Sequence, residues 1–175
     1  RPLPLHGRRV PIVSGPAWAG YLAGYADPEY IDEQPALYIP NLPHEATTWR
    51  AFEVRGESMH PTLFPGDLVI CSQEEPGTPL RDNLIYLIVT KEGGMLLKRV
   101  MDRSHKDGTL LLRSDNRQYP PYPIQTEEVL QLWRVRRRFT AQLAGPESFE
   151  HRLNTVEERL ASLEGTLPWQ DADAV

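Results

Sequence analysis

The chain has 175 residues, 40% hydrophobic and 25% charged, a composition that supports one domain with a substantial core rather than two. Its net charge of −5 and its single cysteine, Cys71, argue against a basic nucleic-acid-binding surface, a disulfide framework and a cysteine-built zinc site. We expect no signal peptide, because the proline- and arginine-rich stretch after Arg1 has no apolar core, and no apolar run approaches the roughly 18 residues that a membrane span needs.

The charge excess is confined to one end of the chain. Residues 147–175 contain seven acidic and two basic residues, so the remainder is neutral. Among the 19 cationic residues the lysines are Lys91, Lys98 and Lys106. Because lysine can lose its proton in a protein and arginine cannot, each of these lysines deserves inspection as an acid–base group.

The N-terminal part is rich in proline. Four prolines among the first 17 residues predict a linker arm over 1–16, and the start at Arg1 leads us to expect a further segment upstream. Residues 17–25 are mostly small or aromatic, which keeps their backbone accessible. Four more prolines in 28–43 are too many for central strands or helices.

From residue 49 the pattern is typical of strands. Short runs rich in aliphatic and aromatic residues occur at 49–54, 68–71, 84–90, 95–101, 110–113 and 129–139. Turn signals rich in glycine and proline separate them, and residues 91–95 predict a hairpin loop. The fold class is therefore mainly β, with twisted and mostly antiparallel sheets.

The C-terminal part changes to a helical period. Pro146 suits a first helical position, and apolar residues then recur at spacings of three and four: Phe149, Leu153, Val156, Leu160, Leu163 and Leu167. This seam predicts an amphipathic helix over 146–167 and a tail over 168–175. A coiled coil between two chains and packing on the parent domain remain alternatives.

Ser58 and Lys98 are the candidates for chemistry. Ser58 follows a strand end at a turn, where a hydroxyl can be exposed beside backbone N–H groups, although most turn serines have no such role. Lys98 shares a strand face with Leu96 and Val100, so it is either desolvated, with a lowered pKa, or extended toward water. A neutral lysine can take the proton of a serine hydroxyl.

Other candidates are weaker. The five histidines lack ligand spacing, so we expect neither metal nor cofactor. His60 is close to Ser58 in sequence, but turn neighbours usually point apart. The arginines of 134–138 would fall on both faces of a strand, which favours a solvated edge over a nucleic-acid site.

One set of motifs resembles a known family. The set is Val54-x-Gly56-x-Ser58-Met59-x-Pro61-Thr62, then Gly66-Asp67-x-Val69, Lys98-Arg99-Val100 and Leu112-x-Ser114-Asp115-Asn116. It resembles the LexA-like peptidase domain of LexA, UmuD and phage CI-type repressors, which shares its Ser–Lys core with type I signal peptidases. The resemblance covers about residues 15–139, and Glu57 departs from the family's usual Asp or small residue.

The resemblance implies self-cleavage by a domain spanning residues 17–140. Ser58 would be the nucleophile, Lys98 the general base, and the backbone N–H groups of Glu57 and Ser58 the oxyanion hole. The family cuts at an Ala-Gly or Cys-Gly bond upstream, and this chain offers Ala19-Gly20 and Ala23-Gly24. We favour Ala19-Gly20 because its flanking residues are more similar to the family's cleavage loop.

The resemblance further implies a cytoplasmic, homodimeric regulatory domain of a bacterial or phage transcriptional repressor. Operator DNA would be bound by a helix-turn-helix domain upstream of Arg1, with a RecA filament or another stress signal as trigger. A non-cleaving dimerisation or sensor module and a UmuD-like polymerase accessory are alternatives. A peptidase acting on other proteins is a further, weaker one.

Overall fold

The computed structural model describes residues 7–14, 31–43, 48–92, 94–142, 156 and 159–160. The strands in this part of the chain are β1 (Arg8–Val13), β2 (Ala36–Ile39), β3 (Trp49–Glu53), β4 (Leu68–Gln73), β5 (Ile85–Thr90), β6 (Gly94–Arg103), β7 (Thr109–Arg113), β8 (Tyr122–Gln125) and β9 (Val129–Phe139). A short helix, Ser104–Asp107, links β6 to β7, and a 3-10 turn, Thr126–Glu128, precedes β9.

The strands form one open mixed sheet in the order β2-β1-β3-β4-β9-β5-β6-β7-β8. The β1–β3 pair is parallel and the other pairs are antiparallel. The mainly β fold expected from the sequence is confirmed. All six predicted strands are present, and the predicted hairpin joins β5 to β6 with Thr90 opposite Gly94.

The predicted arm is wrong for residues 8–13, which form β1. Val10 and Val13 are fully buried, so apolar burial outweighs the proline-rich composition. Residues 8–11 pair with β2 and residues 12–13 with β3, so Pro11 lies where pairing changes from one neighbour to the other. Strand β2, between Pro35 and Pro40, forms a sheet edge, where strand prolines are tolerated.

The core consists of three clusters along the sheet. The largest packs β3, β4, β5 and β9 around Trp133, whose ring meets Phe52 edge-to-face at 5.4 Å between centroids. A second cluster lies around Val10 and Ile70, and a third around Tyr86 and Val100. The largest cluster also receives Met59 and Leu63 from the connection between β3 and β4. That connection carries Ser58.

Residues 142–175 form a second compact unit. Val156, Arg159 and Leu160 are helical, and the rest of the predicted helix over 146–167 lies outside the described residues. Both Ala-Gly bonds proposed for cleavage, Ala19-Gly20 and Ala23-Gly24, also lie outside them. Within the described ranges, no helix is long and apolar enough to cross a membrane.

Candidate active site

The connection between β3 and β4, residues 54–67, is a closed loop. The backbone N–H of Val54 donates to the carbonyl of Asp67 at 2.7 Å, and that of Gly66 donates to the carbonyl of Val54 at 3.0 Å. Gly56 and Gly66 have φ of 70° and 89°, a left-handed conformation in which a side chain would be strained. These hydrogen bonds join the two ends of the loop, and the two glycines allow the turns that its backbone makes.

Two apolar side chains fasten this loop to the core. Met59 and Leu63 are 2% and 3% exposed, and the N–H of Leu63 donates to the carbonyl of Met59 at 2.9 Å, which forms a single helical turn. The Arg138 guanidinium on β9 donates to the carbonyl of Thr62. Because Ser58 directly precedes the buried Met59, its backbone is held against the sheet.

Lys98 comes from the middle of β6. Three strands, β4, β9 and β5, separate β6 from β3 in the sheet, so the loop must cross the sheet to reach it. Lys98 is paired with Tyr86 of β5 and is 7% exposed, which favours the desolvated lysine over the alternative of a lysine extended toward water. Burial lowers the pKa of its amine, because the charged form loses water.

The loop and the strand bring the two candidate side chains into contact. Nζ of Lys98 lies 2.6 Å from Oγ of Ser58, which is hydrogen-bonding distance. The Tyr119 ring lies over the same amine, 5.8 Å from Nζ to the ring centroid. A cleft of about 340 Å³ adjoins the pair, and its walls include the apolar side chains of Val54, Met59, Leu87, Met95 and Leu97.

A third segment, between β7 and β8, holds the pair together. Asp115 receives two bonds from the guanidinium of Arg99, the neighbour of Lys98, at 2.6 and 2.9 Å. Burial would raise the pKa of Asp115, but hydrogen bonds from Arg99 and Thr62 and nearby arginine charges outweigh it and lower the pKa. The N–H of Asn116 donates to the carbonyl of Ser58 at 3.0 Å.

The side chains of the remaining sequence candidates pack against neighbouring residues or fasten neighbouring segments. The ring of His60 is exposed and packs edge-to-face on Phe64, at 4.7 Å between centroids. Arg136 donates to Ser72 and Arg137 to the carbonyls of Pro40 and Asn41, so these arginines fasten neighbouring segments to β9. In the described part of the chain, no three metal-binding side chains lie together.

Sequence reasoning found Ser58 and Lys98 but gave no role to Arg99, Asp115, Asn116 or Tyr119. The Ser114-Asp115-Asn116 motif was visible in the sequence. Its contacts with residues 57–60, the turn that carries Ser58 (the serine turn), were not visible, because they depend on the path of the chain between β7 and β8.

A family model described as Peptidase S24-like matches residues 11–133, more than half of the chain. The chain belongs to this family. The resemblance to LexA-like domains is thereby confirmed, and S24 membership supports a serine-peptidase kind of activity. The match runs from β1 into β9, so it includes both Ser58 and Lys98. No curated protein matches the chain closely enough to count as a relative.

Proposed function

We propose that this S24 domain cleaves its own chain, with Ser58 as nucleophile and Lys98 as general base. The contact of 2.6 Å between Lys98 Nζ and Ser58 Oγ carries the proposal. Burial lowers the pKa of the lysine, so a larger fraction of its amine is neutral and able to accept a proton near physiological pH. The apolar walls of the adjoining cleft limit the water around the amine.

The chemistry is acyl transfer followed by hydrolysis. The Lys98 amine takes the hydroxyl proton while Ser58 Oγ attacks the carbonyl carbon of Ala19, and the Glu57 and Ser58 N–H groups stabilise the oxyanion. As the bond to Gly20 breaks, the lysine ammonium returns its proton to the leaving nitrogen. Water then loses a proton to Lys98 and adds to the Ser58 ester. The intermediate releases the carboxyl group of Ala19, which loses its proton to solvent, while Lys98 returns its proton to Oγ.

Tethering makes this reaction feasible with a modest catalyst. A peptide bond in the same chain has a high effective concentration once its loop docks, so docking can control the rate. We propose that the whole protein is a homodimeric, cytoplasmic transcriptional repressor. Cleavage would separate its operator-binding helix-turn-helix domain from this dimerisation domain. A trigger such as a RecA filament would shift the loop toward its docked state.

Cleavage is tested by incubating the purified chain at raised pH and following fragments by gel and intact mass. We expect wild type and the exposed-lysine control Lys106→Ala to cleave, and Ser58→Ala and Lys98→Ala to stay intact. A fragment starting at residue 20 identifies Ala19-Gly20, and one starting at 24 identifies Ala23-Gly24. Cleavage that persists in Ser58→Ala contradicts the proposal. Intact wild type, even with activated RecA, supports a non-cleaving dimerisation module instead.

A further inference from the structure

The carbonyl of Glu57 is held by two donors. The side-chain Nδ2 of Asn116 donates to it at 3.1 Å, and the backbone N–H of His60 donates to it at 3.1 Å. This carbonyl belongs to the peptide group that joins Glu57 to Ser58. The atoms that fix the carbonyl therefore fix the whole Glu57–Ser58 peptide plane.

The other end of that peptide plane is the N–H of Ser58. A peptide group is planar and trans, so its carbonyl and its N–H point in opposite directions. Two bonds that pull the Glu57 oxygen to one side aim the Ser58 N–H to the other side. Under the proposed function, this N–H is one of the two donors to the oxyanion.

Asn116 is fixed by four hydrogen bonds. Its Oδ1 accepts the N–H of Gln118 at 3.0 Å, its carbonyl accepts the N–H of Tyr119 at 3.0 Å, and its own N–H donates to the carbonyl of Ser58 at 3.0 Å. The fourth bond is the one from Nδ2 to Glu57. With Oδ1 occupied by an N–H donor, the amide orientation that places Nδ2 at Glu57 is determined.

The preceding residue fastens this segment to the strand of the lysine. Asp115 binds Arg99 of β6 through both carboxylate oxygens, so the segment spans from the strand of Lys98 to the turn of Ser58. A movement of the serine turn relative to β6 would break these bonds together. The arrangement is suited to a site in which the N–H direction must be set before the substrate arrives.

We propose that Asn116 is a positioning residue for the oxyanion hole, because its side-chain amide holds the Glu57–Ser58 peptide with the Ser58 N–H directed at the reacting carbonyl. This inference rests on the proposed function and adds to it a residue that need not touch the substrate. It assigns Asn116 to stabilisation of the oxyanion and not to the proton transfer between Ser58 and Lys98.

The test compares Asn116→Asp and Asn116→Ala with wild type. Asp keeps the size and the acceptor for Gln118 but replaces the donor to Glu57 with an oxygen that repels its carbonyl. Gln118→Ala is the matched control, because the backbone N–H of Gln118, which this substitution keeps, is the group that bonds to Oδ1 of Asn116. Two rates are followed across pH: self-cleavage, and phosphonylation of Ser58 by a fluorophosphonate, in which the Oγ–P bond forms, fluoride leaves and Lys98 takes the proton.

We expect both rates of both Asn116 variants to fall at least about tenfold at the pH plateau, since loss of a whole oxyanion donor costs about 10² to 10³. The midpoint of the pH profile of Asn116→Ala should stay at the wild-type value, because Lys98 and its contact with Ser58 are unchanged. Asn116→Asp adds a negative charge close to Lys98, which favours the ammonium and should raise the midpoint, so this variant is judged by its plateau. A purely structural role would lower the melting temperature and leave the rate of the folded protein unchanged.

Plateau rates within twofold of wild type in a folded Asn116 variant would overturn the inference, as would a shifted midpoint with an unchanged plateau in Asn116→Ala. If Asn116→Ala fails to fold, Asn116→Asp decides. Wild-type protein that neither cleaves nor reacts with the fluorophosphonate at Ser58 would overturn the proposed function and this inference with it. Wild-type reactivity that the Asn116 variants retain overturns the inference alone.

Discussion

Lys98 Nζ and Ser58 Oγ lie 2.6 Å apart, although the strands that lead to them, β6 and β3, are separated in the sheet by three others. The loop that carries Ser58 crosses this distance because Met59 and Leu63 insert into the core cluster around Trp133. Burial of two apolar side chains therefore sets the position of a polar one. Contact between the candidate nucleophile and base is a consequence of core packing.

The pH dependence of cleavage should report the amine of Lys98. Burial lowers its pKa below the ordinary lysine value of 10.5, so the cleavage rate should rise with pH to a midpoint below 10.5. Lys98→Arg should abolish cleavage at every pH, because a guanidinium keeps its charge. The rates are measured from fragment formation on gels.

Lys106→Arg, on the exposed short helix, is the control for this prediction and should cleave as wild type does. Measurable cleavage by Lys98→Arg would contradict the assignment of Lys98 as general base. A midpoint at or above 10.5 would contradict the lowered pKa.

The Arg99–Asp115 pair should contribute to stability in a pH-dependent way. The two side chains are 32% and 13% exposed, and the pKa of Asp115 is below its ordinary value of 3.8. This contribution is complete above 3.8 and is lost as pH falls through the folded-state pKa. Asp115→Asn should therefore lower the free energy of unfolding at neutral pH by about 1 to 3 kcal/mol.

Urea unfolding of wild type and Asp115→Asn across the acid range measures this contribution. The difference between the two proteins should shrink toward the acid end, where the carboxylate of the wild type becomes protonated. A difference of the same size at every pH would show that the pair acts through shape alone. Glu57→Gln removes an exposed carboxylate from the serine turn and serves as the control.

The strands found from the sequence are those with a simple local signal. Apolar runs between glycine and proline turns identified β3, β4, β5, β6, β7 and β9. The three missed strands, β1, β2 and β8, contain or adjoin prolines such as Pro11, Pro40 and Pro123, which lower strand propensity. Strand β1 pairs with β2 and β3, which lie farther along the chain, and no local pattern encodes this pairing. Strand β8 pairs with the preceding strand β7, so its proline alone hides it.

The residues of the candidate site also fall into those that the sequence predicted and those that it missed. Ser58 and Lys98 were predicted because a turn serine and an apolar-flanked lysine are recognisable chemistry in a known motif. Asn116 donates hydrogen bonds to the backbone carbonyls of Glu57 and Ser58, and contacts with the backbone leave no pattern in side-chain identity. Such partners emerge only once the three-dimensional path of the chain is known.

Cys71 should be inert in the folded protein. It lies on β4 with no exposed surface, its Sγ is 3.7 Å from the carbonyl of Val69, and burial raises the pKa of its thiol. A thiol reagent should therefore label native protein far more slowly than protein in urea. As Cys71 is the single cysteine, labelling stoichiometry by intact mass reports this position directly. Rapid labelling of native protein at neutral pH would contradict this burial.

Lys98 should make the folded protein more stable as pH rises. The unfolded chain binds its lysine proton up to 10.5, whereas the folded chain releases it at a lower pH. Between these two values the unfolded state holds more protons, so the free energy of unfolding increases with pH. Below the folded-state pKa, this contribution is lost because the ammonium is charged and buried.

Lys98→Met isolates the effect, since methionine has a similar length and does not titrate. Both proteins carry Ser58→Ala, which prevents cleavage at raised pH. We expect Lys98→Met to be the more stable protein at neutral pH, and its advantage in urea unfolding to shrink as pH approaches 10.5. Lys106→Met in the same background controls for loss of an exposed lysine. An advantage of Lys98→Met that stays constant or grows with pH would show that Lys98 keeps its proton in the folded state, and would remove it as the base.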